Sequence, residues 1–369
     1  MQARQTSSIM ENFELIHGTN AKTTRLKDEP RFAEGLYDLK NGAYAWMVPN
    51  GSWSEANSGL IVGDGESLLI DTGSDVNTAR QMLDAMEPLI KDNPIKYVVN
   101  SHDDPDHFFG NQLIKGAEII CPTASLDKMK SMTPGQMIFL HEVGKMTRPI
   151  GVFGADKFGH FICEWLGPYD FTNINIVLPT RTFEGSLSLD VGGRKVELIE
   201  ISSAHSAGDA MVYLPEAKVL YASDIAFIDV TPNMWAGPAQ NWIDACDKIM
   251  GMDVEAIVGG HGPICGKEGI QLVKEYWIYI SEELGKRFAA YMGPEEAATD
   301  LALSPSFAQT LYYNWDRPDS LMFNSHIMYR HFRNDTSETG IDFLLDLFRK
   351  AAILAHKLPH ASPKSLHQF

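Results

Sequence analysis

Residues 101–107 read Ser-His-Asp-Asp-Pro-Asp-His, which places two imidazoles and three carboxylates in six consecutive positions. Carboxylates crowded this closely repel one another unless a cation draws them together, so the heptad points to metal binding. The run before it, IKYVVN at 95–100, is β-branched and reads as a strand, which puts the cluster at a strand's carboxyl end. In α/β proteins that is where loops converge on an exposed crevice. Pro105 biases Asp104 away from the helical region, so the side chains are expected to fan out from a loop rather than a continuous helix. Imidazole with carboxylate suits zinc, iron or manganese, and the carboxylate density favours the harder ions.

The pattern around the cluster sets the fold. Upstream, the runs EGLYDL, AYAWMV, SGLIVG and ESLLID alternate as a strand meander and end on Asp71-Thr72-Gly73. TARQMLDAMEPLI follows, with Met82, Leu83, Met86 and Leu89 at helical spacing. After the cluster come an expected helix through FGNQLIKGA, the strand EIIC and a helical stretch from Ala124. A second strand-rich half opens with TRTF at Arg181 and runs through LSLDV, KVELIEIS, AMVYLP and KVLYAS to Asp224. The helix NWIDACDKIMGM and the strand EAIVGG then lead to His261 in a Gly-Gly-His-Gly-Pro turn. Two such halves, each followed by helices, predict an α/β fold of the αββα sandwich type.

This reading divides the chain into an N-terminal arm (1–32), a catalytic domain (33–282) and a helical C-terminal extension (283–369). The arm is expected to pack on the domain or on a second subunit. The extension is expected either to cap the pocket or to form a homodimer face. Residues 132–176 interrupt the catalytic domain as a long insertion carrying Phe139, Phe153, Phe158, Phe161, Trp165, Tyr169 and Phe171. Those rings suggest a small-molecule substrate of apolar or aromatic character.

With a formal charge of −17 and no basic cluster beyond Gly-Lys-Arg at 285–287, the chain lacks the electrostatic footprint for nucleic acid or an anionic membrane. It contains no apolar run of transmembrane length and no signal-type start. The cysteines at 121, 163, 246 and 265 are widely spaced, which suits a reducing compartment, and the sequence reads as cytoplasmic.

His205, Asp224 and His261 each follow an expected strand at a turn. Together with His102, Asp104, Asp106 and His107, they make the chain resemble the metallo-β-lactamase superfamily, whose hallmark is His-x-His-x-Asp-His followed by a distant His, Asp and His. The resemblance covers roughly residues 33–282. It implies two divalent metal ions, one held by His102, Asp104 and His205, the other by Asp106, His107 and His261, with Asp224 bridging. Asp71 would orient the ligands. The usual second histidine is replaced by Asp104, a harder donor that lowers Lewis acidity and favours iron or manganese over zinc. Acids also stand at this position in flavodiiron and oxygen-binding di-iron proteins of the superfamily. Asp103 is the alternative ligand, at a spacing that fits the pattern less well.

The implied activity is a dinuclear metal-dependent hydrolase that cleaves an ester, lactone or related bond with a metal-bound hydroxide, Asp106 or Asp224 shuttling the proton. A non-haem di-iron oxidoreductase or oxygenase that activates dioxygen is the alternative, and a di-iron oxygen sensor the second. No flavin-binding pattern accompanies the site. His141 and His160 lie in the insertion, and His326 and His331 miss the four-residue spacing that aligns two ligands on a helix. Trp235-Ala236-Gly237-Pro238 reads as a pocket-wall loop.

Overall fold

The computed structural model describes residues 8–52, 54–337 and 339–369, so the first seven residues of the expected arm lie outside it. The chain begins with β1 (Glu14–Gly18), β2 (Gly35–Asp38), β3 (Ala43–Met47), β4 (Ser58–Val62), β5 (Ser67–Ile70), α1 (Val76–Ile90) and β6 (Ile95–Val99). It continues through α2 (Pro105–Phe108), β7 (Glu118–Pro122), α3 (Thr123–Ser131), α4 (Pro134–Thr147), α5 (Ala155–Leu166) and β8 (Arg181–Phe183). These strands form one sheet in sequence order β1 to β8. The strands from β1 to β5 pair antiparallel, and those from β5 to β8 pair parallel. Parallel neighbours need a crossover, and α1 supplies the first.

The second sheet holds β9 (Ser186–Val191), β10 (Arg194–Ile201), β11 (Asp209–Leu214), β12 (Val219–Phe227) and, after α6 (Ala239–Gly251), β13 (Ala256–His261), in the order β13-β12-β11-β10-β9. Side-chain alternation explains how the layers stack. On β5, Leu68 and Ile70 join Val196, Leu198, Val212 and Tyr221 in the core between the sheets. Leu69 points the other way, onto Met82 and Met86 of α1. Strands buried on both faces need apolar residues at every position, which is why β5 and β12 carry no clean polar alternation. On the far side of the second sheet Leu220 and Ala222 meet Trp242 of α6. The result is the expected αββα sandwich.

The insertion is more ordered than a loop. It folds as α4 and α5, and α5 buries Phe158, Phe161, Ile162, Trp165 and Leu166, a helical spacing that the aromatic content masks at the sequence level. Phe139 and Phe153 are instead exposed. FGNQL is a short 3₁₀ turn (Phe109–Leu113), not an α-helix.

The tail comprises α7 (Lys267–Ala289), α8 (Pro294–Leu303), α9 (Leu321–Phe332), α10 (Ile341–His356) and α11 (Lys364–His367). It packs back on the insertion, with the Trp165 and Phe348 rings stacked at 5.4 Å. The arm closes the circuit. Its strand β1 pairs with β2, Arg31 pairs with Asp316, and the Lys364 N–H donates to Asp28 at 3.0 Å. Among the described residues no helix is long and apolar enough to cross a membrane.

His326 on α9 gives the extension a pH dependence. Burial and the nearby Lys350 push its pKa down to about 4, with Asp346 opposing. The unfolded chain takes up the proton first as pH falls, so the stability contributed by neutral His326 is complete above about pH 6.5 and is lost on the way down to about 4. The loss is on the order of 3 kcal/mol. His326→Leu should flatten that acid limb in denaturation midpoints measured across this range, and an unchanged slope would contradict the assignment.

Candidate metal centre

Local backbone geometry delivers each side chain of the cluster. Asp71 leaves β5 in a left-handed conformation (φ 58°), which Asp tolerates better than most residues. Its carboxylate accepts from the Ser101 N–H at 2.8 Å, the Ser101 hydroxyl at 2.7 Å and His107 Nδ1 at 2.8 Å. Asp104 is extended, as a residue before proline should be. Pro105, however, opens a helical turn instead of preventing one, because its missing N–H is not needed at a helix start. Asp106 and His107 therefore ride on α2. Asp224 lies inside β12, beside a register irregularity at Ser223 (φ 46°). Gly260 of β13 must be glycine, since a Cβ there would sit 1.8 Å from Asp224 Oδ1.

All seven sequence-predicted ligands converge, in two groups: His102, Asp104, His205 and Asp224, and Asp106, His107 and His261. Within each group one donor atom per residue lies within 4.8 Å of the others. Asp224 joins the groups. Its Oδ2 is 3.3 Å from His205 Nε2, 3.4 Å from His261 Nε2 and 3.8 Å from His102 Nε2, while Oδ1 is 3.3 Å from His107 Nε2. Asp104 Oδ2 lies 3.2 Å from His205 Nε2, and Asp106 Oδ2 lies 3.7 Å from His261 Nε2.

Three atoms turned toward the centre, His102 Nε2, His107 Nε2 and Asp224 Oδ1, are buried with no hydrogen-bond partner among the described residues. Such atoms cost roughly 1–3 kcal/mol each in a folded protein unless something binds them. Nitrogen and oxygen donors facing inward, with the outer nitrogens of His102, His107 and His205 already engaged, fit divalent cations. His205 Nδ1 donates to the Asn233 carbonyl at 2.8 Å, and His102 Nδ1 is 3.0 Å from the Ser101 hydroxyl.

The electrostatics make the same demand. Burial disfavours charge on His205, but Asp224 and Asp104 outweigh it and hold its pKa up at about 10. Burial likewise opposes ionisation of Asp224, yet the four surrounding imidazoles hold its carboxyl well below the usual range. The carboxylates thus call for positive charge at their centre. Access is from the carboxylate side: Asp104 and Asp106 retain 22% and 13% side-chain exposure, against at most 5% for the imidazoles.

Other candidates fall elsewhere. Asp103 belongs to neither group, and burial with the neighbouring Asp104 raises its pKa to about 6. His160 stacks on Phe369, and His331 Nε2 donates to the Ala236 carbonyl at 2.6 Å. His141 and His326 are also outside the cluster.

Several neighbours carried no motif that could reveal them. Ser101 and Ser223 support His102, and Phe227 stacks on His261 at 4.8 Å. Trp235, expected only as pocket wall, donates its indole N–H to Asp104 Oδ2 at 3.0 Å. Tyr169 of the insertion has a buried hydroxyl whose pKa is raised well above the usual range by burial and by Glu55, with Asp106 adding to the effect, so it stays protonated.

Comparison with known proteins agrees with this geometry. The chain is 25% identical over 275 residues to a linear primary-alkylsulfatase of Pseudomonas sp. (strain ATCC 19151), covering 69% of this chain and 50% of that protein. It is 24% identical over 224 residues to the 2,4-dinitroanisole O-demethylase subunit alpha of Nocardioides sp. (strain JS1661), covering 58% of this chain and 54% of that one. The chain thus spans about half the length of these curated relatives. Among solved structures, a stereoselective inverting sec-alkylsulfatase from Pseudomonas sp. shares the fold with a TM-score of 0.62 at 20% identity, over 90% of this chain and 60% of that one. The family model described as the metallo-beta-lactamase superfamily matches residues 51–261, more than half of the chain, and the protein belongs to that superfamily.

Proposed function

We propose that the protein is a dinuclear metal-dependent hydrolase acting on an ester or related bond of a small apolar or aromatic molecule. The observation that carries this reading is the junction at Asp224, whose two oxygens face ligand nitrogens of both groups. One ion is assigned to His102, Asp104 and His205 and the other to Asp106, His107 and His261, with Asp224 between them. When bound, such a pair supplies an acidified water as nucleophile and polarises the oxygen of the bond to be cleaved.

The chain's own residues do the rest. The proton transfer is assigned to Asp106 or Asp224, Asp106 being the more open of the two. Trp235, partly exposed beside Asp104 and backed by the buried rings of Phe323, Phe348 and Trp165, is the surface assigned to an apolar group. Alkyl sulfates are the first substrates to test, because two of the similar proteins are alkylsulfatases by name.

A second reading, di-iron oxygen chemistry, is favoured by one feature: the hard carboxylate of Asp104 where the superfamily pattern has histidine. Screening the purified protein against alkyl sulfates and carboxylic esters, beside an oxygen electrode, separates the two.

Asp71 provides a narrower check. Asp71→Asn keeps the shape but loses the charge that orients His107, and should weaken binding of one ion by about 10–100-fold. Chelator competition measures it, and wild-type affinity would remove Asp71 from the account.

A further inference from the structure

We infer that Trp235 is a positioning residue for the ion assigned to Asp104 and His205, and that α9 and α10 act on the metal centre through it. The inference rests on the two-metal reading. A carboxylate ligand, unlike an imidazole, offers two oxygens and turns about the bond to its Cβ, so it needs a donor to fix which oxygen points inward. The Trp235 indole N–H meets that need at Asp104 Oδ2, the oxygen that lies 3.2 Å from His205 Nε2.

The same loop also holds His205. The Trp235 and Ala236 N–H groups donate to the His205 carbonyl at 2.8 and 3.2 Å, and the Asn233 carbonyl accepts from His205 Nδ1 at 2.8 Å. One short segment therefore fixes two ligands assigned to a single ion.

That segment is anchored from the C-terminal extension. Asn324 on α9 is fully buried. Its Oδ1 accepts from the Met234 N–H at 2.9 Å, and its Nδ2 donates to the Pro232 carbonyl at 2.8 Å. His331 on α9 holds the Ala236 carbonyl. The Trp235 ring rests edge-on against Phe323 of α9 at 5.3 Å and near Phe348 of α10 at 6.4 Å. Among the described residues the hydrogen bonds to Asp104 Oδ2 come from His205 and Trp235, so the route from the extension leads to this ion and not to its neighbour at Asp106, His107 and His261.

The test uses the full chain loaded with Co(II) or Zn(II). Trp235→Phe keeps the ring and deletes the N–H. It should lower the affinity of one of two ions about tenfold or more, leave the other within about twofold, and alter the visible Co(II) spectrum. Asn324→Ala should weaken the same ion, and less than additively in the Trp235→Phe background, because both act through one loop. Wild-type affinities and spectrum in Trp235→Phe would overturn the inference, as would additive effects in the double variant. If Asn324→Ala fails to fold by circular dichroism, Trp235→Phe decides alone. A wild-type protein that binds fewer than two ions would sink the two-metal reading itself, and that failure is read before any variant is made.

Discussion

Asp224→Ala is expected to release both ions and to lower hydrolysis by more than about 100-fold, a larger loss than any single neighbour of the ligands should cause. Asp224 is the only described side chain whose oxygens face His102, His107, His205 and His261 together. Its removal takes from four buried imidazoles the one carboxylate they share, and cations then have no shared ligand to offset their mutual repulsion. Elemental analysis after gel filtration should find less than one ion per chain. Asp224→Asn, which keeps the volume beside Gly260, separates charge from packing and should lose metal nearly as completely. Retention of two ions by either variant would mean that Asp224 does not bridge.

Arg317→Ala should destabilise the fold by about 3–5 kcal/mol, the largest single stability effect expected outside the metal centre. Arg317 and Asp319 are both fully buried and joined at 2.6 Å, and His367 Nε2 lies 3.2 Å from the same Asp319 carboxylate. Burial opposes charge on Asp319, but Arg317 and His367 hold its carboxyl below the usual range. The Arg317 guanidinium also sits over the Phe161 ring of α5 at 5.3 Å, which ties the insertion to the extension. Truncating the arginine leaves a buried carboxylate without its guanidinium partner and facing His367, whereas an Arg317→Met, Asp319→Leu double variant removes both charges and should regain much of the loss. Urea denaturation midpoints decide this, and a loss under about 1 kcal/mol for Arg317→Ala would contradict it.

How much of this could be read from the sequence follows the range of the interactions involved. Strands such as IKYVVN and the helix over 76–90 declare themselves through local periodicity, and so did the two-sheet arrangement. The convergence of the seven candidate ligands was legible because metal chemistry restricts residue type and spacing so tightly. Pro105 was misjudged because the same residue breaks a helix from within and starts one at its first position. The helices of the insertion were hidden by aromatic and glycine content that reads as irregular, although Phe158, Phe161, Ile162 and Trp165 share one buried face. Trp235 and Asn324 could not have been linked to Asp104 by any pattern. Trp235 meets Asp104 across 131 residues of chain and Asn324 meets Met234 across 90, through hydrogen bonds that only the folded backbone defines.

The most direct test of the dinuclear hydrolase reading is metal content measured together with turnover of alkyl sulfates and carboxylic esters under anaerobic conditions. Two divalent ions per chain are expected, with hydrolysis that proceeds without dioxygen and disappears on chelation. Two irons with oxygen consumption and no ester turnover would contradict it.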